Sequence, residues 1–252
     1  MPPKLSTIYF GDCPPEITAP GKRITAAALD QLIPAIHARP FQTSREILLG
    51  GWFISCVADL LVVQPGRLHG YETKSNGDSV TRIPKQVINY LGQCHSLTFI
   101  AEHKIAGRVE KCLRRIENGW DEGKSYPIHH GGYPADQIGL IVATAKGTGY
   151  EFEVVRRATE IMPENEAFLL SAYGPDLRAH RIVKALKLQN RGKIDQIKAI
   201  AAEISQEEAA DFVAEIMWRR CDDPPNPSPP YPREPECNEI MLACAAQRGL
   251  FI

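Results

Sequence analysis

The stretch from Val57 to Lys74, VADLLVVQPGRLHGYETK, decides the fold that we expect for this chain. Its first half is a nearly continuous apolar run, which is typical of a buried strand. Its second half alternates, with Tyr71 and Thr73 on one side and Glu72 and Lys74 on the other. The pattern predicts two strands of a sheet, joined at the proline and glycine between them.

A two-residue tip at Pro65 and Gly66 places Asp59 directly opposite Glu72. Directly opposed residues of an antiparallel pair share a face, with Cβ atoms about 4.5–5.5 Å apart. Two carboxylates and the ammonium of Lys74 then crowd one face of the sheet. Such crowding is unfavourable unless a cation or a reaction makes use of it.

Composition limits the class of protein. The chain has 252 residues, of which 44% are hydrophobic and 23% charged, as expected for a protein that buries a core. It has no apolar run of transmembrane length and no signal peptide, so we expect no membrane association. Seven cysteines without a CxxC pair indicate reduced thiols and a cytoplasmic location. A formal net charge of −1 means that any nucleic acid must be bound by a local basic patch.

The order of predicted elements indicates an α/β (α+β) core, a mixed central sheet flanked by helices. Residues 1–21 look irregular. Outside the hairpin, we expect helices over 23–37, 82–92 and 104–117, and strands over 97–101, 138–143 and 152–155. The tetrad Lys146-Gly147-Thr148-Gly149 lacks the frame of a phosphate-binding loop and is predicted to be a turn.

Three regions follow from these patterns: a core over 1–160, an all-helical part over 161–221 and a tail over 222–252. Ser205, with Glu208 at the capping-box position, divides the apolar run over 194–217 of the second region into two helices. The tail is rich in proline, is expected to be stiff, and ends in a short helix. It is a candidate surface for a protein partner or a homodimer.

Asp59, Glu72 and Lys74 follow the pattern D…ExK. Glu72 and Lys74 lie roughly 7 Å apart along one strand face. Carboxylates in this arrangement suit Mg²⁺ or Mn²⁺, and the carbonyl of Thr73 is a further candidate ligand. Lys74 would position the attacking water and stabilise charge on a phosphate. The simpler interpretation is a sheet-surface cluster in which Lys74 pairs with Glu72 in solvent.

The surrounding residues resemble the PD-(D/E)xK nuclease superfamily, including bacterial and phage members. The stretches that carry the resemblance are ADLLVV (58–63), LHGYETKS (68–75), DS (78–79), RIPKQ (82–86) with Tyr90, and LTFI (97–100). A weaker similarity continues through 139–142 and 152–157. The superfamily name implies a proline before the first acid, and this chain has Ala58 there.

The resemblance implies a restriction-endonuclease-like core in which Asp59 and Glu72 bind metal and Lys74 is the catalytic lysine. Gln86 and Tyr90 look like the QxxxY element of RecB-like nucleases. Spaced i, i+4, they share one helix face. By resemblance, the glutamine orients the active site, and the tyrosine either faces substrate or supports the fold.

Many members carry an upstream acid, for which Glu46 is the best candidate and Asp30 a weaker one; Glu46 is equally consistent with a plain surface residue. His129 and His130 are adjacent and lack partners at ligand spacing, so we expect a loop there rather than a metal site.

Several basic residues are candidates for nucleic-acid binding. Arg82 and Lys85 belong to the matched region. Four more recur every three residues and would wind slowly around one side of a helix: Arg178, Arg181, Lys184 and Lys187. They fit a phosphate backbone, and a solvated helix face explains them equally well.

Two functions are therefore expected from the sequence. The first is a Mg²⁺- or Mn²⁺-dependent nuclease that hydrolyses DNA phosphodiester bonds through Asp59, Glu72 and Lys74. The alternative is a non-catalytic nucleic-acid-binding or adaptor module on the same fold. Endonuclease and exonuclease action, and DNA and RNA substrates, are all compatible with this chemistry.

Overall fold

The structure is a computed structural model that describes residues 8–12, 19–50, 55–117, 138–163, 165–169, 172 and 174–221. It contains seven described strands: β1 (Ile8–Asp12), β2 (Gln42–Gly50), β3 (Ser55–Gln64), β4 (Arg67–Lys74), β5 (Ser96–Glu102), β6 (Ile138–Lys146) and β7 (Gly149–Arg156). They form one mixed sheet in the order β1-β7-β6-β5-β4-β3-β2. Pairing is parallel at β4–β5 and β5–β6 and antiparallel elsewhere.

Helices surround this sheet. Those of the core are α1 (Pro20–Ala27), α2 (Ile33–Ile36), α3 (Ile83–Leu91) and α4 (His103–Glu117). Those of the C-terminal part are α5 (Asn165–Leu169), α6 (Gly174–Ala179), α7 (Arg181–Ala185), α8 (Lys193–Ala201) and α9 (Gln206–Trp218). The α+β prediction, with a mixed sheet flanked by helices and a helical C-terminal part, is confirmed. None of the helices in the described part of the chain has the length and apolar content needed to span a bilayer.

Each face of the sheet carries its own apolar core because successive strand residues point to opposite sides. On β3, Leu61 and Val63 pack with α3, α4 and the C-terminal helices. Leu60 and Val62 pack on the other side with Ile24 and the rest of the α1–α2 segment. The hairpin that decides the fold is therefore buried on both faces.

The register of that hairpin is as predicted from its tip. Backbone pairs run from Gln64↔Arg67 to Leu60↔Tyr71, and Gly66 adopts a φ of 61° that favours glycine. Counted from the turn, the last residue of β3 that pairs with β4 is Leu60, which directly follows Asp59 in sequence. Asp59 is thus at the point where β3 and β4 stop pairing, rather than inside a continuous ladder with Glu72.

The N-terminal part of the core differs from the sequence-based expectation in two places. Residues 8–12, predicted to be irregular, form strand β1 because they pair with the outer edge of β7. The first helix includes a π-helical segment, Ala28–Leu32, between α1 and α2. Pairing with a distant strand explains β1, and local backbone geometry explains the π-helical segment. The pattern of apolar residues in the sequence indicates neither of them.

The predicted row of basic residues is not continuous, which corrects our expectation of one helix. Arg178 lies on α6, Arg181 and Lys184 lie on α7, and Lys187 follows α7 with a φ of 55°. The break occurs at His180, whose backbone is extended (ψ 140°).

The division at Ser205 is confirmed, since Ser205 caps α9 in a capping box with Glu208. The tail over 222–252, its predicted terminal helix, and His129 and His130 lie outside the described residues.

Candidate functional site

Glu72 is the centre of a group of hydrogen-bond donors. Lys74 Nζ lies 2.6 Å from Glu72 Oε1, and Gln86 Nε2 donates to the same oxygen. Tyr90 donates its hydroxyl proton to Glu72 Oε2 at 2.8 Å. Glu72 is 4% exposed and Lys74 is 2% exposed. The structure therefore assembles four of the predicted residues, Glu72, Lys74, Gln86 and Tyr90, into one buried network.

Helix α3 brings Gln86 and Tyr90 to Glu72 because residues four apart share one helix face. Tyr90 is fully buried, so its ring supports the fold and its hydroxyl orients Glu72. The ring lies directly over Gly70 on β4, where a Cβ atom would collide with its Cδ1 and Cε1 atoms. A glycine at position 70 is thus required for the close approach of α3 to the strand.

Asp59 is fixed by Thr73 across the point where the strands separate. The backbone nitrogen and the hydroxyl of Thr73 each donate to Asp59 Oδ2 at 2.7 Å. The hydroxyl of Thr25 on α1 lies 3.5 Å from that of Thr73. Asp59 Oδ1 accepts no hydrogen bond from any residue that the structure describes. One oxygen of Asp59 is therefore held in place while the other remains available.

The ionisation of Glu72 depends on its burial and on the charges near it. Burial raises the pKa of Glu72 above its ordinary value, and the charge of Asp59 raises it further. Lys74 and Tyr90 oppose this rise by stabilising the carboxylate. Glu72 therefore lies in an environment where an added positive charge would be favourable.

These residues line what we call the acidic cleft, which consists of two adjoining cavities of about 620 and 610 Å³. Four residues border both cavities: Glu46, Asp59, Glu72 and Arg82. Lys74 borders the first cavity, and Gln86 borders the second.

Glu46 borders the cleft from strand β2. Its backbone has a φ of 52°, which is unusual for a residue other than glycine. Backbone conformations of this kind are found more often at functional sites than elsewhere. Lys22 Nζ lies 2.8 Å from Glu46 Oε1, and this contact lowers the pKa of Glu46. Asp30, the weaker candidate for an upstream acid, does not border the cleft and accepts a bond from Gln31.

Exposed cations surround the acids of the cleft. Arg82 and Lys85 border it as the sequence suggested, and the structure adds Lys22 and Arg45. Sequence reasoning missed these two because α1 and β2 are brought to the hairpin only by folding. The basic residues of α6 and α7 do not border the cleft in the part of the chain that the structure describes.

The donor set is compatible with Mg²⁺ or Mn²⁺. Mg²⁺ is usually held by one or two carboxylates together with waters and phosphate oxygens, and Asp59 and Glu72 supply two carboxylates. No group of three His, Cys, Asp or Glu side chains that could hold a metal ion occurs among the described residues. Asp59 Oδ1 is available to bind a metal ion. Glu72 Oε2 accepts a hydrogen bond from Tyr90 and keeps a lone pair for a metal ion.

Comparison with models of protein families finds a similarity in the N-terminal half of the chain. The model of a family described as bacteriophage P4 protein cII matches residues 22–116. The matched segment is less than half of the chain, yet it runs from α1 to α4 and contains Asp59, Glu72 and Lys74 and most residues that line the acidic cleft. No curated protein and no solved structure matches the chain.

Proposed function

We propose that this protein is a Mg²⁺- or Mn²⁺-dependent nuclease that hydrolyses DNA phosphodiester bonds in the acidic cleft. The observation that carries the proposal is the burial of the Glu72–Lys74 pair beside Asp59. A sheet-surface charge cluster would leave the lysine in solvent, whereas Lys74 is 2% exposed. Burying a charged pair is costly, and a catalytic role gives a reason for that cost.

The acids and the lysine of the cleft would have different roles in the reaction. Asp59 and Glu72 would hold the metal, with the carbonyl of Thr73 and, if Lys22 releases it, Glu46 as further ligands. When bound, Mg²⁺ would neutralise charge on the phosphate and polarise a water molecule. Lys74 would hold the attacking water and stabilise the negative charge that develops on phosphorus-bound oxygens.

Gln86 and Tyr90 act through Glu72. Each donates a hydrogen bond to its carboxylate, so together they fix the orientation of the side chain. The rim cations Lys22, Arg45, Arg82 and Lys85 would contact the phosphate backbone on either side of the scissile bond. In the reaction, water adds across one P–O bond: its oxygen joins phosphorus, and the departing oxygen leaves with a proton.

Cleavage assays test this proposal directly. Supercoiled plasmid, linear duplex, single-stranded DNA and RNA are incubated with Mg²⁺ and with Mn²⁺, and the products separate nicking, double-strand cutting and digestion from ends. Lys74→Ala and Asp59→Ala are expected to abolish cleavage. Lys104→Ala, which removes an exposed lysine of α4, is the matched control and should cut like the parent. If both site variants cut as well as the parent, the proposal is wrong.

A non-catalytic nucleic-acid-binding or adaptor module is the second candidate. It is favoured by one observation: three internal donors already bind the carboxylate of Glu72. This function predicts DNA binding without cleavage in any divalent metal. It also predicts that calorimetry detects no metal binding that depends on Glu72.

We further propose a cytoplasmic setting, supported by Cys112, a buried thiol that forms no disulfide among the described residues. The basic residues Arg178, Arg181, Lys184 and Lys187 remain candidates for contact with DNA outside the cleft, although they are divided between separate elements. Recruitment of a homodimer or protein partner through the proline-rich tail stays a prediction.

A further inference from the structure

A second cavity lies on the opposite face of the sheet from α3. It has a volume of about 320 Å³ and shares no lining residue with the acidic cleft. Its walls include His37 after α2, His69 and Tyr71 on β4, Ser96 on β5, and Arg157 directly after β7. Folding brings these five residues together from four segments of the chain.

One wall of this cavity is fixed by internal hydrogen bonds. Gln64 donates its amide to Ala38 O at 2.6 Å, so its Oε1 accepts from His37 Nδ1 at 3.1 Å. His37 Nε2 is then the acceptor for the Tyr71 hydroxyl at 2.6 Å. The polar groups on this side are satisfied by one another and form a preorganised surface.

Two other polar groups of the lining, on His69 and Arg157, each have a buried atom without such a partner among the described residues. His69 is 4% exposed, and its Nδ1 lies 2.9 Å from Ser96 Oγ. Its Nε2 has no hydrogen-bond partner among the described residues, because the nearest acid, Glu160, lies 3.8 Å away. The Nη2 atom of Arg157 is likewise buried without a partner in the described part of the chain. Such atoms are rare in folded proteins and call for an explanation.

The charge of the cavity favours an anion. Arg156 and Arg157 contribute two positive charges, and the acid of the lining, Glu160, is engaged by Arg67 at 3.3 Å. Burial lowers the pKa of His69 to about 2, so this histidine adds a neutral polar group rather than a charge. A guanidinium group binds the planar or tetrahedral oxygens of carboxylates and phosphates through several parallel hydrogen bonds.

We infer that this cavity binds a small organic anion whose carboxylate or phosphate monoester group is held by Arg157 and His69. The volume is at the lower end of the range for small-molecule sites. Ile141 and Val154 provide an apolar wall for the body of the ligand. This site is separate from the proposed nuclease centre, and its occupation does not depend on that function.

Calorimetry on the full chain tests this inference with three probes: inorganic phosphate, adenosine 5′-monophosphate and succinate. Saturable binding of at least one probe is expected, and the comparison separates phosphate from carboxylate recognition. Arg157→Gln should weaken binding by about tenfold or more, since it removes charge-assisted hydrogen bonds. Arg108→Gln, at an exposed arginine of α4, and Arg82→Gln, in the acidic cleft, should bind like the parent.

Histidine side-chain nitrogen spectra give an independent measurement. The Nε2 resonance of His69 should shift when the bound probe is added. His69→Gln provides a second variant if Arg157→Gln fails to fold, and it should also weaken binding. Three results would overturn the inference: no saturable binding at millimolar concentrations, parental affinity in the folded cavity variant, or loss of binding in Arg82→Gln.

Discussion

Lys74 and Glu72 form a buried ion pair along a single strand, with Nζ 2.6 Å from Oε1. The two side chains are 2% and 5% exposed. Their mutual attraction offsets the loss of hydration that each charge suffers on burial. Because Asp59 adds a second negative charge nearby, removal of the lysine would leave two carboxylates without their buried counter-ion.

Lys74→Ala is therefore expected to destabilise the fold as well as to abolish the proposed cleavage. The free energy of unfolding should decrease by about 3 kcal/mol, since breaking a buried pair strands the remaining charge. Urea denaturation at neutral pH measures this change. The double variant Lys74→Met with Glu72→Gln should recover part of the loss, because it leaves no buried charge. Parental stability of Lys74→Ala would contradict the buried pair.

The pKa of Glu72 makes stability depend on pH in a defined direction. Burial and Asp59 raise this pKa above the ordinary value of 4.5. Between the two values, the folded protein binds one more proton than the unfolded chain, so stability falls as pH rises through the raised pKa.

Urea denaturation of the parent and of Glu72→Gln at a series of pH values tests this dependence. Without metal, the stability of the parent relative to the variant should fall as pH rises from 4.5. A constant difference across the series would show that the pKa of Glu72 is unchanged by folding. Added Mg²⁺ should move the transition to lower pH if Glu72 is a ligand.

Tyr90→Phe tests the link between helix α3 and the acidic cleft. The change removes the hydroxyl that binds Glu72 Oε2 and keeps the ring that packs over Gly70. We expect a loss of about 2 kcal/mol in stability, the range for a hydrogen bond to a charged group. The pKa of Glu72 should rise further, since a donor to its charged form is lost.

Stability by urea denaturation and a carboxyl titration by NMR measure the two effects of Tyr90→Phe. Gly70→Ala provides a comparison, because its added methyl group would displace the ring itself. It should disturb Glu72 and the packing together, and cost more than Tyr90→Phe. An unchanged titration of Glu72 in Tyr90→Phe would rule out an orienting role for the hydroxyl.

The hairpin could be predicted from sequence because its information is local. Pro65 and Gly66 fix the turn, and strand alternation then assigns every residue to a face. The placement of Gln86 and Tyr90 on one helix face beside the strand of Glu72 was predicted from their spacing and from the resemblance to a known superfamily. Asp59 shows the limit of this reasoning: its carboxylate is set by Thr73 at the point where the strands separate, which alternation does not describe.

The rest of the site depends on contacts between distant segments. Lys22 and Glu46 meet only after α1 and β2 are placed beside the hairpin, and Glu46 adopts a backbone conformation that no pattern predicts. The second cavity is a stronger case, because Arg157 and His69 are far apart in sequence and the resemblance assigns a role to neither of them. Sequence patterns therefore predicted the acids together with Lys74, Arg82 and Lys85, whereas only folding brings Lys22 and Arg45 to the cleft.

His180 offers a test of the helical part that is independent of any activity. Its ring is 4% exposed and packs edge-on against Phe212, and neither ring nitrogen has a hydrogen-bond partner among the described residues. Burial lowers its pKa to about 4, so the folded protein keeps it neutral. His180→Leu should raise the free energy of unfolding by about 1 kcal/mol, because two unsatisfied polar atoms are removed.

The same variant should also resist acid better. In the parent, the unfolded chain takes up a proton at His180 below its ordinary pKa of 6.5, so stability is lost as pH falls towards 4. His180→Leu removes that contribution, and thermal denaturation between these pH values measures it. His95→Leu is the matched control: His95 Nδ1 accepts from the nitrogen of Leu68, so this variant should be destabilised instead. If both changes lower stability equally, the ring nitrogens of His180 have partners in solution.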